Sequence, residues 1–216
     1  IAIGINICED IWIEDGPAEE QVKQGASLII NINASPYDIH KSETRKEIVM
    51  KKALKLNVPI IYLNMVGGQD ELVFDGGSFV VNDLGEIIYQ ASSFKEEVFH
   101  LDIDLKTNKQ NDKSPLIIRP KTIELKDVES KASLSKNESI YSALKLGLKD
   151  YVRKNKFTKV LIGISGGIDS ALTAAICVDA LGAENVIGVA MPSKYNSKDS
   201  LDDAIKLSDN LGITLK

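Results

Sequence analysis

Cysteine is scarce: Cys8 and Cys177 are the only two in 216 residues. So distant a pair builds neither a disulfide framework nor a clustered metal site. No apolar run approaches the ~20 residues of a membrane span, and no charged-then-apolar leader opens the chain. A soluble, cytoplasmic protein with no membrane partner is expected. The lysine-rich stretch 106–136 contains no aromatic residue, which removes the interleaved basic and aromatic pattern of a nucleic-acid surface. Histidine is limited to His40 and His100. A protease-like Cys8–His40 pair is conceivable, but His40 beside Lys41 reads better as a surface residue at a helix start. His100, in EVFHLDID, reads as a strand residue. Two well-known phosphate loops are also absent. No lysine lies within Gly163–Ser170, so there is no Walker loop, and Gly163, Gly166 and Gly167 are spaced wrongly for the dinucleotide fingerprint.

What is present is a globular composition, 44% hydrophobic, of a length that suits one or two domains. Charge is divided unevenly, with a net −10 over residues 1–104 and +5 over 105–216. The positive half suits a polyanionic ligand. The stretch between about 105 and 136, rich in Lys, Ser and Asn, reads as a solvated linker.

Residues 160–170 read VLIGISGGIDS. The apolar run predicts a buried parallel strand, Ser165-Gly166-Gly167 a sharp turn, and Asp169 and Ser170 the opening of a helix that continues as ALTAAICVDALG. Strand, glycine turn and helix N-terminus together make a phosphate site: the backbone can approach the anion, unpaired N–H groups point at it, and the helix dipole favours its charge. Asp169 could be a hard ligand for a metal or only a helix cap. Cys177, among alanines and leucines, reads as buried core. Asn185–Ala190 predicts the next strand, followed by the loop Met191–Ser197 and a helix capped by Ser197 or Ser200. Ahead of the loop, residues 141–157 predict an amphipathic helix with Leu144, Leu148, Tyr151 and Val152 on one face.

At the other end, the strand Ile1–Ile7 (IAIGINI) runs straight into Cys8-Glu9-Asp10-Ile11-Trp12. A cysteine at a strand end can be a nucleophile or a small buried hydrophobe. Further strands are expected near 27–32, 58–64, 78–82, 86–90 and 97–103, with Asn82–Gly85 turning a hairpin. Gln69-Asp70-Glu71 could bind a metal, but a hydrogen-bonded loop, or a contact with the site around Cys8, is the better reading.

SGGIDS matches the pyrophosphate loop of the ATP pyrophosphatases, and MPSKYNSKDSLDDA resembles the segment that follows that loop in NAD synthetases. GINICEDIW resembles the nucleophile elbow of the glutaminase branch of the nitrilase-type amidases. Asn33-Ala34-Ser35-Pro36-Tyr37, Lys41 with Arg45, and residues 66–78 (VGGQDELVFDGGS) are likewise similar to glutamine-dependent NAD synthetases, a resemblance weakest between about 105 and 136. It implies α/β architecture: the later half of an αββα nitrilase-like sandwich over 1–104, a linker over 105–136, and the start of a Rossmann-like, doubly wound parallel sheet over 137–216.

For the site residues the resemblance implies Cys8 as nucleophile, with Glu9, Ser35 and Lys41 around the glutamine. The backbone N–H of Glu9 would hold the oxyanion. ATP would lie on Gly163, Ile164, Ser165, Gly166, Gly167, Ile168, Asp169 and Ser170, with Asp169 on Mg²⁺. Read without the resemblance, Ser35 is a strand-end cap and Lys41 a solvated helix residue. The implied partners are glutamine, deamido-NAD and ATP, and a homo-oligomer is expected. The family's glutamate base and lysine precede the cysteine, yet only seven residues precede Cys8, so the chain reads as an internal fragment of a longer enzyme. Two rivals remain open: another amide- or thio-transfer enzyme with the same loop, and a non-catalytic fragment.

Overall fold

The computed structural model describes residues 1–105, 129–191 and 198–216. The chain forms two compact units, one comprising Ile1–Val66 and Phe74–Lys136, the other Gly67–Val73 and Asn137–Lys216.

In the first unit, strands β1 (Ile3–Ile7), β2 (Leu28–Asn33) and β3 (Ile60–Asn64) run parallel, with Ile5 opposite Ile30 and Ile30 opposite Ile61. Two short strands that follow β3 in sequence, β4 (Val66–Gln69) and β5 (Leu72–Asp75), form a separate two-stranded sheet among the described residues, and its residues Gly67–Val73 belong to the second unit. Strands β6 (Phe79–Val81) and β7 (Ile87–Gln90) then extend the first sheet antiparallel, giving the order β1-β2-β3-β6-β7. The expected Asn82–Gly85 turn joins β6 to β7, and Asn82 N–H donates to Glu86 O at 2.9 Å.

Side chains alternate across a strand, and here one face is covered. Helices α1 (Pro17–Lys23) and α2 (Lys41–Leu56) lie on the side of Ile29, Ile60, Tyr62 and Phe79, where Ile11, Ala18, Val49 and Ala53 complete the core. Proline at N1 with Gly16 as N-cap starts α1, and left-handed Asn57 (φ 54°) ends α2. The opposite face shows Ile3, Ile5, Ile7 and Ile32 largely exposed.

Residues 97–103 differ from expectation. They pair with no strand among the described residues. Their alternation is still used, since Phe99, Leu101 and Ile103 pack over Val80, Tyr89 and Ala91. An extended chain with one apolar side covers part of that second face instead of joining the sheet edge.

The second unit is built on β8 (Val160–Gly163), β9 (Val186–Val189) and β10 (Thr214–Leu215), all parallel in the order β10-β9-β8. Helices α4 (Ile168–Leu181) and α5 (Lys198–Leu211) make the crossovers. Cys177 joins Ile164, Ala174, Val186, Ala204 and Ile213 in the core, and burial pushes its thiol pKa up.

Helix α3 (Lys136–Lys154) buries Ala143 and Val152 and packs Leu148 against that core, whereas Leu144 and Tyr151 are exposed. The helix is therefore rotated from the expected face. One contact accounts for its two unlike sides: α3 also receives the tip half of the β4–β5 hairpin. Gly68 N–H donates to Asp150 Oδ2 at 2.8 Å, and Lys154 Nζ donates to Gly68 O. A Cβ on Gly68 would stand 3.1 Å from Gly147 Cα, so two glycines let the backbones approach. The Gln69-Asp70-Glu71 segment is the exposed turn of this hairpin, with a hydrogen bond from Gln69 Nε2 to Asp70 Oδ2 at 3.3 Å.

Lys52 and Glu19 form a buried ion pair between α2 and α1 at 2.7 Å, and Lys52 also donates to Ile13 O at 2.7 Å. Burial acts to raise the Glu19 pKa, but the hydrogen bond from Lys52 and the charges of Lys52 and Lys55 outweigh it and hold the carboxyl below its ordinary value. Lys52→Met should cost about 3 kcal/mol, because it strands a buried carboxylate; urea unfolding monitored by circular dichroism measures this. A depressed folded-state pKa gives stability that is complete at neutral pH and lost as acid carries the pH through that lowered value. Glu19→Gln should therefore flatten the fall of melting temperature on acidification.

Candidate active sites

Cys8 follows directly on β1 and opens the 3-10 turn Cys8–Ile11. Its φ of 50° is a left-handed conformation that non-glycine residues rarely adopt. The turn is braced by Ile7 N–H donating to Asp10 Oδ2 at 2.9 Å and by Trp12 N–H donating to Glu9 O at 2.9 Å. Asn31, on the neighbouring strand, donates to Cys8 O at 3.2 Å and to Asn6 Oδ1 at 2.7 Å. Cys8 is thus half-buried at a stiff corner, while the Glu9 side chain is exposed.

The parallel register of β1 and β2 puts the chain beyond Asn33 next to this corner. Ser35 is buried, and its three polar atoms are all engaged. Its N–H donates to Asn64 Oδ1 at 2.9 Å, its carbonyl accepts from Arg45 Nη2 at 2.8 Å, and its hydroxyl accepts from Arg45 Nε at 3.1 Å. Arg45 is itself paired with Asp75, Nη1 lying 2.8 and 2.9 Å from the two carboxylate oxygens. Tyr62 stacks on Phe79 at 4.9 Å, and burial pushes its pKa up. Among the described residues Asn33 Oδ1 is buried with no hydrogen-bond partner, and the buried Tyr62 hydroxyl has only the Ser35 side chain beside it, short of full hydrogen-bond geometry. Lys41 is the first residue of α2 and half-buried; no described hydrogen bond ties its side chain to Ser35 or Cys8. His40 is exposed, as expected.

The sequence reading omitted Arg45, Asp75, Asn64, Asn31 and Asn33 as site residues. One signal existed: Asn31 and Asn33 repeat with period two inside the apolar strand LIININ, so both point to the covered face, where an unpaired amide is costly. Arg45 and Asp75 stand 30 positions apart, and nothing local links them.

In the second unit, Gly163 ends β8, Ile164 is buried in the core, and Ser165-Gly166-Gly167 turn into α4. The loop is closed by its own hydroxyls. Ser165 and Ser170 Oγ lie 3.1 Å apart, Ser170 Oγ donates to Gly167 O at 2.9 Å, and Gly167 N–H donates to Ser165 Oγ at 3.3 Å. Gly166 has φ 79°, and a Cβ there would run into the Ser200 backbone, with Ser200 Cα at 2.9 Å. Ile168, Asp169 and Ser170 form the first turn of α4, whose amides lack intrahelical partners. The N-cap is Gly167 and no side chain caps the helix, so Asp169 is not a cap. Of the predicted caps of α5, Ser197 lies outside the described residues, as does all of the predicted loop beyond Met191, and Ser200 falls inside the helix.

Among the described residues no group of three or more His, Cys, Asp or Glu gathers as a metal cage. What the loop offers is one exposed carboxylate, Asp169, beside two hydroxyls. That donor set fits Mg²⁺ held largely by phosphate oxygens and one or two carboxylates. No described helix is long and apolar enough to cross a membrane.

Residues 1–111 match the carbon-nitrogen hydrolase family and residues 140–216 the NAD synthase family. The chain is 42% identical to a glutamine-dependent NAD(+) synthetase of Aquifex aeolicus, over 98% of this chain and 40% of that protein. It is 45% identical to the same-named protein of Thermotoga maritima, over 99% of this chain and 40% of that protein. Among solved structures, a glutamine-dependent NAD+ synthetase from Acinetobacter baumannii in complex with ADP superposes with a TM-score of 0.83 at 39% identity. It covers 99% of this chain, which spans 38% of that structure. The chain thus spans about two fifths of the length of these relatives. With a nitrilase-like unit followed by an NAD synthase unit, it belongs to the glutamine-dependent NAD(+) synthetase family.

Proposed function

We propose that this chain is part of an enzyme that amidates deamido-NAD to NAD, using ATP and ammonia released from glutamine, in the cytoplasm. The observation that carries the reading is that one chain holds both a cysteine at a left-handed elbow and a Ser/Gly turn at a helix N-terminus.

A free cysteine thiol is mostly protonated at neutral pH, so Cys8 needs a base. In the family pattern a glutamate that precedes the cysteine takes the proton. The thiolate of Cys8 then attacks the glutamine side-chain carbonyl carbon. The developing oxyanion is met by the backbone N–H of Glu9 together with the family's lysine. Ammonia leaves, and water hydrolyses the glutamyl thioester to glutamate. The buried Ser35 and the half-buried Lys41 are the glutamine-binding groups of this reading.

In the other unit, the loop Gly163–Ser170 receives the triphosphate: its first-turn amides and the hydroxyls of Ser165 and Ser170 face the phosphate oxygens. Mg²⁺, when bound, neutralises charge on those oxygens, and Asp169 is the residue of this loop that would hold it. The nicotinate carboxylate attacks the α-phosphorus and pyrophosphate departs. Ammonia then attacks the resulting acyl carbon and displaces AMP.

In the full-length enzyme, Cys8→Ala should abolish glutamine-dependent synthesis while leaving ammonia-dependent synthesis within about twofold, because only ammonia passes between the two chemistries. Equal loss of both in a folded variant would count against the nucleophile. Asp169→Ala should lower pyrophosphate release by about two to three orders of magnitude, the scale set by removing one transition-state stabilising group. It should stop synthesis from either nitrogen source while glutamine hydrolysis persists. Near-normal pyrophosphate release would remove Asp169 from the site. Gly166→Ala should act in the same direction, since a side chain at φ 79° would displace the loop from Ser200.

A further inference from the structure

We infer that Arg45 and Asp75 are positioning residues of the glutamine site, fixing the Ser35 peptide at the end of β2. The inference rests on the glutaminase reading of the first unit and adds two residues to it.

Arg45 is 3% exposed and Asp75 5% exposed, so both charges have left water. One guanidinium nitrogen holds both Asp75 oxygens. The remaining donors go to a single short stretch: Nε to Ser35 Oγ at 3.1 Å, and Nη2 to Ser35 O at 2.8 Å and Pro36 O at 2.7 Å. Asn64 closes the other side, accepting the Ser35 N–H at 2.9 Å and donating to Ser35 O at 3.3 Å, Gly76 O at 3.2 Å and Asp75 Oδ1 at 3.4 Å. Ser35 therefore has no polar atom left to choose its own geometry.

The polarity of the clamp matters as well as its stiffness. A guanidinium only donates, so the Ser35 oxygen must accept, and the serine's own hydrogen is turned away from Arg45, on a hydroxyl that also neighbours Tyr62. Asp75 makes this possible by neutralising a charge that would otherwise be buried alone. A pair kept only for stability would be replaceable by apolar side chains of similar volume at little loss. A pair kept to aim Ser35 would not be.

That difference is the test. In the full-length enzyme carrying this chain, the double variant Arg45→Met/Asp75→Leu removes both charges together and avoids stranding either. Arg45→Lys keeps the charge but not the fork. Glutamine-dependent and ammonia-dependent NAD formation are measured for each, beside thermal melting. We expect the double variant to raise KM for glutamine at least tenfold with kcat within threefold. Ammonia-dependent synthesis should be unchanged, and Arg45→Lys should recover part of the KM. If the double variant does not fold, the isosteric Asp75→Asn is read on the same KM, with the same direction expected. A glutamine KM within twofold of the parent, or equal loss with glutamine and ammonia, overturns the inference while leaving the parent's glutamine activity, and with it the glutaminase reading, standing. A parent inactive with glutamine overturns both.

Discussion

Parallel strands bring all their C-terminal ends to one edge of a sheet, and this constraint organises both units. In the first, the registered strands β1, β2 and β3 end at Ile7, Asn33 and Asn64. The elbow at Cys8, the Ser35 peptide and the Asn64 amide that grips it are consequently neighbours, although 56 positions separate Cys8 from Asn64. In the second, β8 ends at Gly163, and the Ser/Gly turn emerges there at the N-terminus of α4. Open α/β sheets present ligand sites at the carboxyl ends of their strands for this reason.

The polar groups near Cys8 are costly to bury, which limits how they can be arranged. Asn6, Asn31 and Asn33 face the helix-covered side of the sheet, and each amide is tied to another amide or to a backbone carbonyl. Buried polar groups of this kind specify one arrangement, since every slip leaves a donor or acceptor bare. The Glu19–Lys52 pair adds a second anchor behind the elbow. Glu19 also accepts the Gly16 N–H at 3.2 Å, so the segment that follows Cys8 is held at Ile13 and again at Gly16.

Much of this was legible in the chain. The apolar runs at 1–7, 27–32, 58–64 and 160–164 announced strands, and SGGIDS announced a turn into a helix, because local pattern decides both. The short strands β4 and β5 were not legible: glycines at 67 and 68 weaken any strand signal, and their reason is the close approach to α3 at Gly147. The facing side of α3 was misjudged for the same cause, since a helix that meets two partners does not show a single apolar stripe. Residues 97–103 showed the right alternation but not its use, as alternation gives a face and not a pairing partner. Around Cys8, the short motifs pointed to Cys8 and Ser35. The Arg45–Asp75 clamp depends on contacts 30 residues apart, which no window of sequence contains.

The alternation of β1 has a consequence for substitution. Gly4 and Asn6 are confined: a Cβ at Gly4 would meet Gln21 and Ile29 within 2.6 Å, and Asn6 belongs to the amide ladder. Ile3, Ile5 and Ile7 turn their side chains the other way, and Ile5 and Ile7 meet these groups only through their backbones. Two different physical constraints therefore act on alternate letters of one short word. The even side chains answer to the elbow at Cys8, and the odd ones, exposed on the other face, carry no such constraint. One short strand therefore tolerates exchange among aliphatic residues at 3, 5 and 7 and refuses it at 4 and 6.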